Sequence, residues 1–149
     1  MDSESNRHSI SIGTLQEVNS KVAALREAGI DVIAFSADKE DVATALVSEL
    51  SLSFPVAYGL TEDTMHQLGL YVSDPTNYIE QTHRFSEPGY FFLTATSKIQ
   101  YVSIASHPMG GRVNVDHLIA GYQWSVQRAK ESPEFANVVW GSVTSNSRK

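Results

Sequence analysis

Apolar residues recur at Leu15, Val18, Val22 and Leu25, the spacing of one face of a 3.6-residue helix. Thr14 followed by Glu17 has the form of a capping box in front of that face. Gly29 supplies the left-handed residue that ends such a helix. Ile30, Val32, Ile33, Ala34 and Phe35 then make a nearly continuous apolar run, which predicts a short strand buried on both faces. Asp38 is the expected cap of a second helix, with Val42, Ala45, Leu46 and Leu50 pointing inward. Phe54 to Tyr58 reads as a short extended segment, with Pro55 marking an edge or a strand start. Thr61 caps a third, brief helix; Leu60 and Met65 are placed for a hydrophobic staple, and Gly69 closes it.

The periodicity then lapses. Residues 71 to 87 are polar, include Pro75 and predict a long loop. Tyr90 to Ala95 and Ile99 to Ile104 flank Thr96, Ser97 and Lys98, the pattern of a β-hairpin. Tyr90, Phe91, Phe92 and Tyr101 are expected in the core. Gly110, Gly111 and Arg112 form a turn leading to Asn114, a good cap for a last helix with Leu118, Ile119, Tyr122 and Val126 on its inner face. Tyr122 and Trp124 are expected to extend the core, the other reading being a dimer surface. The expected domain is residues 1–130, its first 13 a degenerate N-terminal segment. Residues 131–149 are a tail with Phe135 and Trp140 as docking points. Strands alternating with helices argue a βαβ half, and the hairpin plus last helix a ββα half. That composite is an α/β, thioredoxin-like sheet flanked by helices, with its first strand short or missing.

Composition narrows the function. A chain of 149 residues that is 42% hydrophobic and 19% charged can bury a core. Eleven Lys and Arg against 17 Asp and Glu give a net charge of −6, and the basic residues do not cluster, which argues against nucleic acid. No apolar run reaches the length of a membrane span. Met1 to Asn6 is polar and acidic rather than signal-like, so the expected compartment is the cytoplasm. There is no cysteine, which removes disulfides, thiolate metal sites and any thiol nucleophile. The five histidines lack a zinc-site spacing, so no metal or other cofactor is expected.

Four blocks carry a family resemblance: Gly29 to Asp38 (GIDVIAFSAD), Phe54 to Leu60 (FPVAYGL), Leu68 to Pro75 (LGLYVSDP) and Glu87 to Leu93 (EPGYFFL). In this order they resemble peroxiredoxin-like proteins of the alkyl hydroperoxide reductase/thiol-specific antioxidant (AhpC/TSA) family, over roughly residues 14 to 130. The resemblance implies a Trp-Cys-Pro-x-Cys motif just before the first helix. Arg7 to Ser11 occupies that place here, and His8 and Ser11 stand where the two cysteines would. A serine hydroxyl is too weakly acidic and too hard a nucleophile to replace a thiolate at a peroxide O–O bond. Few residues precede His8 to form a central first strand. Either His8 to Ile12 serves as a short strand, Ile10 and Ile12 alternating with Ser9 and Ser11, or that strand is missing. A missing strand would mark a truncated or degenerate product with an open sheet edge, and favour a homodimer.

The candidate site residues follow. His8 could act as a general base and Ser11 as a ligand hydroxyl or weak nucleophile, although no acid is identifiable to orient His8; a solvated N-terminal segment is the plainer reading. Glu87 and Pro88 precede the hairpin, where the resemblance implies a substrate-facing, often cis, proline; a simple turn explains them equally well. Arg112 after two glycines could hold an anion or be a solvated side chain, and the resemblance puts it near the former peroxide site. Two functions remain open. One is a peroxiredoxin-like protein that has lost its nucleophile and serves as a noncatalytic binding or interaction domain for a small molecule. The other is a cysteine-independent enzyme built on His8, Ser11, Glu87 and Arg112.

Overall fold

The structure, a computed structural model, describes residues 9–75 and 83–137. It divides into two compact units, Met1–Val115 and Asp116–Lys149.

In the first unit α1 spans Ser9–Glu27. Val22 and Leu25 on its predicted face are buried, and Leu15 and Val18 are half-buried. The helix begins earlier than the Thr14–Glu17 pattern predicts, so Thr14 lies inside it rather than at its N-cap. The alternative of a strand at His8 to Ile12 is also overturned. Ser9 to Ile12 are helical, because four alternating residues cannot outweigh the turns added to a helix already nucleated downstream. His8 lies outside the described residues, and among those described no strand precedes α1. The C-terminus is a Schellman motif as expected. Gly29 has φ +83°, and the Gly29 and Ile30 N–H groups donate to the Arg26 and Leu25 carbonyls at 2.9 and 2.8 Å.

β1 (Ala34–Phe35) and β2 (Val56–Ala57) are parallel, joined by α2 (Glu40–Glu49). The run from Ile30 is buried on one face only. Ile30 is in the core, but Ile33 and Phe35 are 55% and 64% exposed. Among the described residues β1 has β2 as its one partner strand, and with Ile33 and Phe35 exposed the expectation of burial on both faces fails. In α2 Ala43 is buried, Leu46, Val47 and Leu50 are half-buried, and Val42 and Ala45 face outward. The inward stripe is thus rotated by one residue from the predicted one. Lys39, not Asp38, is the N-cap, and its side chain makes no capping bond. The α1 and α2 ends are stitched together by polar groups: Asn19 Oδ1 accepts from both the N–H and the hydroxyl of Ser53 at 2.8 Å, and Arg26 donates to the Ser53 carbonyl at 2.7 Å.

α3 (Glu62–Gln67) follows the predicted form. Thr61 Oγ1 accepts from the Thr64 N–H at 3.2 Å, Met65 is buried, and Gly69 has φ +72°. The predicted loop from 71 to 87 contains a two-residue antiparallel pair, β3 (Val72–Ser73) and β4 (Phe85–Ser86). These strands are too short for any periodicity to announce them. β5 (Gly89–Leu93) and β6 (Ile99–Ile104) form the expected hairpin, with Ser97 at φ +62° in its turn. Tyr101 is 43% exposed, so it is not a core residue as expected; Tyr90, Phe91 and Phe92 are half-buried.

α4 (Val115–Glu131) starts directly after Asn114 and leads to a 3-10 turn at Pro133–Asn137. Trp124, expected in the core, is 51% exposed. Phe135 meets its ring edge-on at 5.3 Å between centroids, and the Arg128 guanidinium lies 5.9 Å above it. Trp140 lies outside the described residues. Among the described residues no helix is long and apolar enough to cross a membrane. The element order is α, then βαβ, a short helix, a small antiparallel pair, and ββα, the thioredoxin-like sequence of elements.

Candidate functional site

The residues singled out in the sequence are set by four short segments of the first unit. Ser11 is exposed in the N-terminal part of α1, and Thr14 follows it by three residues, one helical turn away. Arg112 reaches this helix from the far end of the unit. Its NH1 donates to Thr14 Oγ1 at 2.6 Å and its NH2 to the Pro108 carbonyl at 2.8 Å. The side chain is half-buried, and Nε is buried with no hydrogen-bond partner. No carboxylate pairs with this guanidinium among the described residues. Among the described residues this half-buried positive charge is met by a hydroxyl and a carbonyl, not by a carboxylate.

Glu87 and Pro88 join β4 to β5. Glu87 is buried, and its carboxylate accepts from the Ser73 hydroxyl at 2.6 Å. Its backbone is held as well, the N–H by the Tyr71 carbonyl at 2.8 Å and the carbonyl by the Ser86 hydroxyl at 2.6 Å. One oxygen of this buried carboxylate is thus held by a neighbouring hydroxyl. The Glu87–Pro88 peptide bond is trans, as is every described peptide bond; the cis form that the resemblance implied is not adopted. The Pro88 carbonyl accepts from the Ala105 N–H at 2.9 Å.

Ala105 is the junction between these groups. It is buried beside Gly111, where an added Cβ would come within 2.6 Å of the Ala105 Cβ. Gly111 has φ +66°, so two constraints select glycine there: the left-handed backbone and the close approach. The Pro88–Ala105 bond and the Ala105–Gly111 contact thus place Pro88 and Arg112 around one junction, and Arg112 carries it to α1. The Glu87 carboxylate instead turns toward Ser73. Thr14, Ser73, Pro108 and Ala105 had no sequence signal as site residues. Only the Gly110–Gly111 pair hinted at the close approach.

The chemistry open to this arrangement is donation of hydrogen bonds by a half-buried guanidinium beside α1. No thiol exists in the chain. Among the described residues no group of three or more His, Asp or Glu side chains is arranged to hold a metal ion.

Comparison with known proteins bears on this geometry. No curated protein matches the sequence. Among solved structures the fold is similar to a cysteine-to-serine mutant of peroxiredoxin 6 from Arenicola marina, with TM-score 0.64 and 15% identity over 85% of this chain. It is also similar to AhpC from Enterococcus faecalis, with TM-score 0.63 and 16% identity over 87% of this chain. The chain spans 59% of the length of the first and 73% of the second. At such identities the likeness is one of fold. The profile of the AhpC/TSA family matches residues 13–102, a stretch that includes all four sequence blocks and more than half of the chain. This cysteine-free chain therefore belongs to the AhpC/TSA family.

Proposed function

We propose that this chain is a noncatalytic member of its family, a binding or interaction domain that keeps the fold without the thiol peroxidase nucleophile. The observation that carries this reading is the absence of cysteine from all 149 residues. Peroxide reduction of the family's kind needs a thiolate to attack the O–O bond, and neither His8 nor Ser11 supplies one. The guanidinium of Arg112, held by Thr14 and Pro108 and by no carboxylate among the described residues, supports a ligand with hydrogen-bond acceptors, taken between α1 and the Pro88–Ala105–Gly111 junction. Glu87 and Pro88 take the part of a rigid wall in this reading.

Self-association belongs to the same proposal. Among the described residues β1 has one edge without a partner strand, flanked by the exposed Ile33 and Phe35, and a second copy can cover both. The test is a thermal-shift screen of small acceptor-rich molecules, including carboxylates and hydroperoxide analogues, run beside sedimentation. A stabilising ligand whose shift disappears in Arg112→Met supports the binding reading. Shifts that survive Arg112→Met place binding elsewhere and refute it. A monomer at high micromolar concentration counts against the dimer.

A further inference from the structure

His83 stands between two hydrogen-bond acceptors. Its Nδ1 lies 3.0 Å from the backbone carbonyl oxygen of Arg84, and its Nε2 lies 3.4 Å from Asp38 Oδ1. A carbonyl and an ionised carboxylate have no proton to give. A neutral imidazole has one N–H, so it serves one of them and turns a lone pair toward the other. An imidazolium donates to both.

Asp38 is fixed for this role by its own turn. Its Oδ2 accepts from the Ser36 hydroxyl at 2.8 Å, and its N–H donates to the same Ser36 oxygen at 3.1 Å. The Asp38 and Ser36 carbonyls accept from the Gly59 and Leu60 N–H groups, each at 2.9 Å. The remaining carboxylate oxygen, Oδ1, is the one that faces His83.

The other charges in this neighbourhood are already occupied. Arg84 pairs with Glu62 of α3 and with Asp74, the latter at 2.9 Å, and His66 lies 3.3 Å from Glu62. Among the described residues Asp38 is thus the counter-charge left for His83. The same geometry excludes a catalytic dyad. A histidine base needs the nitrogen remote from its carboxylate to face a substrate, and here that nitrogen is taken by the Arg84 carbonyl.

We propose that His83 is a pH-responsive latch. As imidazolium it donates to the Arg84 carbonyl and to Asp38 at once and ties the start of β4 to the Ser36–Asp38 turn; on losing its proton it serves only one of them, and the tie weakens. Imidazole is the side chain whose ordinary charge change falls between about pH 5 and 8. β4 is a two-residue strand whose one partner strand among the described residues is β3, and it runs directly into Glu87 and Pro88. The latch therefore governs how firmly that part of the candidate site is anchored.

Amide hydrogen exchange at Phe85, Ser86 and Glu87 tests this across roughly pH 5 to 8, the imidazole range, after correction for the intrinsic pH dependence of exchange. Protection should fall roughly threefold as pH rises, the effect of one partly exposed ion pair, while amides of the β5–β6 hairpin stay constant. His83→Gln should abolish the pH dependence, and His66→Gln should leave it as in the parent. Nitrogen NMR of the ring in the unaltered chain gives a second readout that needs no variant: both nitrogens protonated at the low-pH end, with loss of one tracking loss of protection. Protection that ignores pH, an unchanged profile in folded His83→Gln, or a neutral ring at the low-pH end would overturn the latch.

Discussion

Arg84 and Arg112 both bridge distant segments of the first unit, and they do so under opposite electrostatic conditions. Arg84 is 48% exposed and lies against two carboxylates, Glu62 and Asp74. Arg112 is half-buried, spans 98 positions to Thr14, and among the described residues meets only neutral partners. The first is a solvent-screened clamp whose charge is spent locally. The second retains donor capacity beside α1, next to a junction so tight that it accepts only glycine. Position rather than residue type separates a structural arginine from a candidate ligand group.

The sharpest way to break this contrast is at the junction. Gly111→Ala would force a Cβ to 2.6 Å from the Ala105 Cβ and 3.2 Å from its Cα and would hold alanine at φ +66°. Because the obstacle includes backbone, the loss should be about 2–4 kcal/mol, read by denaturant unfolding. Arg112→Met removes the link to α1 and leaves the Thr14 hydroxyl and Pro108 carbonyl to other partners. It should cost about 2 kcal/mol, with little change on adding salt, since no ion pair is lost. Arg84→Ala should cost less than about 1 kcal/mol, and that difference should vanish in about 1 M salt. Equal costs or equal salt responses for the two arginines would erase the distinction.

The smallest effect is in the second unit. The Gln127 side chain and then Arg128 hold the Glu131 carboxyl below its ordinary range. A depressed carboxyl adds stability above its unfolded pKa and loses it as pH falls. Gln127→Ala and Arg128→Ala should each move the Glu131 titration upward by NMR, the first more than the second.

The elements that could be read from sequence are those closed by nearby residues. The Thr61 cap bonds three residues away, Gly29 and Gly69 end their helices through local backbone bonds, and the hairpin's strands are joined by a short turn. Each is a contact whose partners share one stretch of chain. The misread positions depend on distant partners. Asp38 has the composition of a helix cap, but its carboxylate is engaged by Ser36 and His83. Thr14 resembles a cap, yet it serves as the acceptor for Arg112. The Ile30 to Phe35 run is apolar enough for burial on both faces, but such burial needs elements packed on both sides of the strand, which no local pattern reveals. Of the candidate site, Arg112 and its glycines were legible as a turn with donor capacity. The inward turn of Glu87 toward Ser73 was not, because pairing across 14 positions leaves no periodic trace.

The central claim is that the family's fold persists here without its thiol chemistry. Hydroperoxide loss at substoichiometric protein, with thioredoxin, glutathione or dithiothreitol as reductant, tests it most directly. Met65 and Met109 can be oxidised, but a thioether is consumed stoichiometrically unless a reductase restores it. The account predicts no multiple turnover by the unaltered, metal-free chain. Activity gained by the His8→Cys/Ser11→Cys double variant would show that the surrounding pocket survives and that the nucleophile alone was lost. Multiple turnovers by the unaltered chain would contradict the claim outright.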